Sequence, residues 1–350
     1  MESNRLLKAS VLTLVLVVTF IMSFEWYWRN RGFTPTYNDD KMLWAAKRKE
    51  LDRITEHSTV FVGGSRIKFD LDIPTWERLT GEKVIQLAIT GTPGRIVLRH
   101  LSNNEKFKGK LILDVAEGQL FSVADTMRVD KSAREAIDYY TNETPAQNVS
   151  ASINYLLESN LAFLEERKFS LTPLLMDLKI PNRSGVFEIP PFPKEISTVS
   201  FNRQNSMTPM FLKDTRLQKK QIDTWMGFKI PPVIKGDTLM TFLKETKAAI
   251  DKIRSRGGVV VFVRPPSSKG ILEREKRFPR QQYWDRLLEY TNTPGIHFLD
   301  YPATANLTCP EWSHLGPREA TVYTTQLIKI LQEEEGWIFP RRSDFSSSLK

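Results

Sequence analysis

Cysteine and histidine are scarce in this sequence, with one cysteine (Cys309) and four histidines in 350 residues. A single cysteine excludes an internal disulfide and any multi-cysteine zinc site. No histidine accompanies the acids Asp114 and Glu117, so they are not read as a metal pair. Acids are in deficit too, 41 against 50 Lys and Arg, which leaves a net charge of +9. That balance favours an anionic partner: nucleic acid, an acidic glycan or a lipid surface. No compact basic motif interleaved with aromatics occurs, nor a zinc-finger or RNA-binding signature, and nucleic acid is set aside. Internal repeats are absent. With 41% hydrophobic and 26% charged residues, the chain has the make-up of a folded protein rather than a disordered one. Its length allows one large domain or two small ones.

Only one long uncharged hydrophobic run is present. Ala9–Phe24 carries no charge, Arg5 and Lys8 precede it, and Trp26, Tyr27, Trp28, Arg29 and Arg31 follow. The aromatic cluster extends this run to the roughly 20 residues a spanning helix needs. Phe-Glu-Trp-Tyr-Trp lacks the small-x-small pattern of a cleavage site. Residues 1–37 are therefore read as an uncleaved signal anchor and its linker. The bulk of the chain would be extracytoplasmic or periplasmic, held to the membrane by that helix.

Beyond the anchor, an amphipathic helix is expected over Asn38–His57, with Met42, Leu43, Ala46, Leu51 and Ile54 on one side. Thr59–Val62, Lys83–Ile89, Lys110–Val115, Val259–Val263 and Ile296–Leu299 read as strands, most of them continuous apolar runs of the kind buried on both faces. Helices fall between them at Pro74–Thr80, through Ile96, Leu98 and Leu101, from an N-cap at Asp237, and at Pro317–Leu331. Strands alternating with helices predict an α/β fold with one parallel sheet of about five strands. From Gly118 to about Lys235 the rhythm stops, and no strand of comparable quality occurs. A stretch of that length is too long for a loop in a compact domain, so 118–235 is read as an insertion forming a cap or partner surface. The domain proper is then 38–335, with 336–350 as a tail.

The first strand ends in Gly63-Gly64-Ser65-Arg66. Two glycines after a buried strand turn the chain sharply and present Ser65 at the carboxyl end of the sheet, where open α/β sheets place their ligands. A serine there is a nucleophile if a base reaches it. His57 precedes the first strand, His100 lies inside a helix, and His297 is expected to begin the fifth strand at the far end of the sheet. His314 falls in the loop after the fifth strand, at the same edge as Ser65, with Glu311 three residues before it to orient the ring. Arg66 and Arg264 reach the same edge, where they bind an anionic substrate or pair with a local acid such as Glu117. Cys309 has no base placed for it and is read as an inert thiol.

Gly64-Ser65 after strand one, Gly91 after strand two, and acid-x-x-His-Leu before the last helix resemble the SGNH/GDSL hydrolase superfamily. More narrowly, they resemble its membrane-anchored envelope branch, which serves D-alanylation of teichoic acids and O-acetylation of alginate. The resemblance spans about Val60–Leu331 and implies a flavodoxin-like three-layer fold with serine esterase or acyl-transfer chemistry and no cofactor or metal. By that match Ser65 is the nucleophile, His314 the general base and Glu311 the orienting acid, and the N–H groups of Ser65 and Gly91 hold the oxyanion. The family's usual Asp is Glu311 here. The Gly-x-Asn-Asp block after strand three is replaced by Val115-Ala116-Glu117-Gly118-Gln119, leaving Gln119 as the only candidate for the third oxyanion donor. The implied substrate is an anionic or acylated glycan, with a membrane-bound O-acyltransferase as the partner delivering the acyl group. The rival expectation is a catalytically inactive scaffold of the same fold.

Overall fold

The computed structural model describes residues 2–53, 58–122, 129–178, 192–228 and 231–340. The expectations placed on Ile54 and His57, on part of the 118–235 insertion and on most of the 336–350 tail fall outside these residues. In chain order the main elements are α1 (Glu2–Asn30), α2 (Lys41–Arg53), β1 (Ser58–Val62), α3 (Ser65–Asp70), α4 (Ile73–Thr80), β2 (Lys83–Gln86), α5 (Arg95–Ser102) and β3 (Lys110–Asp114). There follow α6 (Lys131–Asn142), α7 (Pro145–Glu158), α8 (Leu171–Met176), β4 (Ser197–Val199), β5 (Asn205–Met207) and α9 (Thr215–Gly227). The chain closes with α10 (Gly236–Arg254), β6 (Val259–Arg264), α11 (Lys269–Glu275), α12 (Trp284–Thr291), β7 (Gly295–His297) and α13 (Pro317–Glu333).

Five strands make one parallel sheet in the order β2-β1-β3-β6-β7. The unbroken apolar runs follow from burial of both faces. On one side Val60, Val62, Leu111, Leu113, Val260 and Phe262 join one core with Trp44, Leu98, Ile250 and Trp284 from the helices. On the other, Phe61, Ile112, Val261 and Val263 pack with Ile67, Trp76, Tyr323 and Leu327. Each fully buried side chain of this size contributes roughly 1.5–3 kcal/mol, so the sheet is the rigid base on which the site stands. Helix α4 starts with Asp72 capping the Thr75 N–H and stops at Gly81, whose φ of +71° only glycine adopts readily.

Several expectations are corrected. The buried side of α2 includes Trp44, Lys47 and Arg48 as well as Leu43 and Leu51, because the two cations bury their stems and pair with Glu50 and Asp52 at their tips. Within the insertion, mostly helix and loop as expected, β4 and β5 add a small antiparallel hairpin of three-residue strands. Asp237 lies in the first turn of α10, and Lys235 takes the cap position. Strand β7 stops at His297, which pairs in register with Arg264. His297 is thus at the carboxyl end of the sheet rather than the far end.

One helix, α1, is long and apolar enough to span a membrane, with mean hydropathy 2.2 over its most apolar window and none of that window buried. Its last turns are different. Glu25 is buried and accepts from the Ala162 and Phe163 N–H groups at 3.0 and 3.3 Å. Phe24 packs edge-on to Phe163, and Trp28 packs at a tilt on Phe169 with centroids 4.4 Å apart.

Candidate active site

The turn after β1 is shaped by close approach. A Cβ on Gly63 would meet the Asp114 Cβ at 2.3 Å, and one on Gly64 would meet the Gln119 Oε1 at 2.5 Å. With glycine at both positions the chain folds tightly against the end of β3, and Ser65 starts α3 at its first position, with Gly64 as the uncapped N-cap. Asp114 Oδ2 accepts from the Gly64 N–H at 3.1 Å and pins the turn.

The loop after β7 carries the partner residues. Ser65 Oγ is 2.8 Å from His314 Nε2, and His314 Nδ1 is 2.8 Å from Glu311 Oε1. Glu311 Oε1 also accepts from the His314 backbone N–H at 2.6 Å, while Oε2 accepts from the Trp225 indole N–H. A carboxylate only accepts, so Nδ1 carries the ring hydrogen and Nε2 is the lone-pair nitrogen facing the serine hydroxyl. Glu311 has no exposed surface and His314 is 2% exposed. Phe69 lies 4.5 Å from the His314 ring, centroid to centroid, and limits its rotation. Trp312, between the two, takes a left-handed backbone (φ +74°), a conformation costing about 1–2 kcal/mol. Its carbonyl accepts from the Ser268 N–H at 2.9 Å. Asp70 anchors the far side of the loop by accepting from the Leu315 N–H at 2.8 Å. Burial pushes the Asp70 carboxyl well above its usual range, with the Leu315 hydrogen bond working the other way.

Ser65, His314 and Glu311 are therefore brought together as a hydrogen-bonded relay, at the head of a cavity of about 800 Å³. Such a relay can take the proton of Ser65 as the oxygen attacks an electrophile. The cavity's rim includes Tyr27, Trp28 and Arg31 from the end of α1 and its following turn, with Phe192 and Trp225 from the insertion. Trp225 is the functional contact that sequence reasoning misses, since nothing in its local pattern marks it.

The other candidates fall out as follows. Gly91 sits in the loop after β2 in a left-handed conformation (φ +79°), next to Thr90, which lines the cavity. The carboxamide of Gln119 lies against Gly64, its Oε1 buried and without a partner. Arg66 and Arg264 do not face the cavity as free cations. Arg264 is 1% exposed, with its Nε 3.1 Å from both carboxylate oxygens of Glu117, and both arginines bond Glu275. Burial alone would raise the Glu275 carboxyl, but the Arg264 and Arg66 guanidiniums outweigh it and hold the group to about 2. The cations that line the cavity are Arg31, Arg167, Lys168, Lys194 and Lys220. Burial, with Arg264 beside it, holds His297 down to about 3, and burial with Arg48 holds His100 to about 4. Both rings stay neutral and take part in packing. Cys309 is buried and its thiol is pushed well up by burial, with Asp70 and Glu311 nearby adding to it. Among the described residues, no cluster of three His, Cys, Asp or Glu side chains could hold a metal.

No protein-family model matches the chain, and no curated protein matches it in sequence.

Proposed function

We propose that this chain is a membrane-anchored serine esterase or O-acyltransferase of SGNH type, acting on an extracytoplasmic glycan through Ser65, His314 and Glu311. The observation that carries the proposal is the continuous relay of 2.8 and 2.8 Å contacts from serine to imidazole to carboxylate. The strand order β2-β1-β3-β6-β7 agrees with a flavodoxin-like arrangement, and helix packing on both faces of the sheet agrees with three layers.

In this reading Ser65 Oγ bonds to the carbonyl carbon of an ester while its proton passes to His314 Nε2. The Ser65 and Gly91 N–H groups stabilise the tetrahedral oxyanion, joined by Gln119 once its carboxamide is turned to aim the NH₂ rather than the oxygen at Gly64. Collapse breaks the ester C–O bond, and the departing alkoxide takes the proton from His314. Water or a glycan hydroxyl then enters by the reverse sequence and frees the serine. The cations lining the cavity suit an anionic glycan or lipid-linked donor. The insertion offers a surface for a membrane acyltransferase that supplies the acyl group.

A specific feature favours the rival, a non-catalytic scaffold: Gln119 presents a buried, unpartnered Oε1 beside Gly64, where an oxyanion donor is wanted. A serine-reactive phosphonate applied to the full chain in nanodiscs separates the two readings. Labelling is expected in the native protein and lost in Ser65→Ala and His314→Ala. A folded native protein that does not label sinks the catalytic reading.

A further inference from the structure

Among the described residues, the helical insertion carries an apolar face that no other element covers. On α7, Val149, Ile153 and Leu156 recur at helical spacing and are 61%, 54% and 67% exposed. On α8, Leu171, Leu175 and Met176 are 72%, 48% and 63% exposed. Soluble surfaces rarely tolerate such a concentration of aliphatic side chains. Its position supplies the occupant. Asn160, two residues beyond α7, accepts from Arg29 Nη2 at 2.7 Å. Phe163 packs on Phe24, the last residue of the uncharged run, and Phe169, two residues before the start of α8, packs on Trp28. These contacts fix the ends of both apolar helices at the level of Trp26, Tyr27 and Trp28, the aromatic belt where α1 would leave the hydrocarbon. The most apolar window of α1 is itself uncovered among the described residues, and these contacts join its last turns to the segment that carries the exposed leucines.

We propose that α7 and α8 lie in the interface of the phospholipid bilayer that α1 enters, as a second, monotopic contact. Their leucines enter the boundary between headgroups and acyl chains, in the manner of an interfacial amphipathic helix. The consequence concerns the site. One cavity is lined both by Tyr27, Trp28 and Arg31 and by Ser65 and His314, so the carboxyl edge of the sheet faces the bilayer. The catalytic cavity then opens at the lipid surface and takes substrate along it rather than from bulk solvent. The proposal rests on the reading of α1 as a retained anchor, though not on the serine being active.

Depth-dependent quenching on the full chain in phospholipid nanodiscs tests it. In a Cys309→Ser background, a fluorophore is attached at Leu156→Cys, Leu171→Cys or Leu175→Cys. Lys329→Cys, near the end of α13 and 63% exposed, serves as the aqueous control. Lipids doxylated near the glycerol are expected to quench the three insertion positions severalfold more than the control, and iodide to do the reverse. Iodide access equal to that at position 329 overturns the proposal. So does protection from both quenchers that appears only when another protein copurifies, which would assign the face to a protein partner. Phosphonate labelling of the same samples reads the serine independently, so failure of the lipid contact and failure of the catalytic reading give different patterns.

Discussion

At the scale of single residues, the site depends on one carboxylate with three donors. Glu311 receives the His314 backbone N–H, the His314 ring N–H and the Trp225 indole N–H, so both of its oxygens are committed and the imidazole is held in one tautomer. Trp225→Phe keeps the ring but removes a donor to a buried charge, an interaction worth about 1.5–3 kcal/mol. The expected outcome is a phosphonate-labelling rate roughly ten- to a hundredfold lower, with the thermal midpoint lowered by several degrees. An unchanged rate would show that Glu311 orients His314 without help. Asp114 gives a second residue-scale prediction, about stability. Burial raises its carboxyl to about 6, opposed by Arg66, by its bond from Gly64 and by Arg264, and aided by Glu117. A raised folded pKa contributes stability that is complete below about pH 4 and is lost as pH rises through 6. Above that pH the native state therefore carries a buried carboxylate costing about 3 kcal/mol. Asp114→Asn keeps an acceptor for the Gly64 N–H. Its melting temperature should exceed that of the native protein by several degrees at pH 8 and converge with it near pH 4. A gap independent of pH would remove the titration from the account.

At the scale of elements, four buried side chains tie α3, β6, α11 and the turn after β3 together. Arg66 and Arg264 share Glu275, and Arg264 also holds Glu117. Removing one member leaves the others charged and buried, a loss of about 3–5 kcal/mol. Glu275→Gln should thus lower the denaturation midpoint substantially, and Glu275→Leu combined with Arg66→Met should recover part of the loss. Equal destabilisation by the single and double variants would show that the two residues are not coupled. The same cluster shows what the sequence could and could not tell. Gly63-Gly64 after an apolar run announces a turn at the sheet edge, and the loop after the last strand carries His314 to it, although His297 reaches the same end. The direction of an arginine side chain is not local information. Whether Arg66 points at solvent or at an acid 209 residues away is decided by packing. Trp225 meets Glu311 across 86 residues, a contact that no local pattern around Trp225 signals. His297 was misplaced for a simpler reason: β7 is three residues long, and an error of one or two residues in so short a strand moves a side chain from one end of the sheet to the other.

At the scale of the whole molecule, the last turns of α1 are built into the fold rather than hung from it. Glu25 is the joint: its carboxylate accepts two backbone N–H groups of the 162–164 turn and pairs with Arg29. Glu25→Ala strands two N–H groups in a part-buried place, at about 1–3 kcal/mol each at most. That energy is charged to a local unit, since the turn and the sheet share no core cluster, and local opening need not follow global unfolding. Limited proteolysis of full-length protein in nanodiscs should therefore cut the variant severalfold faster between Leu157 and Ser170, while the melting temperature of the sheet stays within a degree or so. Equal cutting rates would mean that the aromatic contacts of Phe24 and Trp28 hold the joint without the carboxylate. A large drop in melting temperature would mean that the docking of α1 and the sheet unfold as one unit. Packing of α1 on the 162–169 segment would then stabilise the edge that carries Ser65 as well.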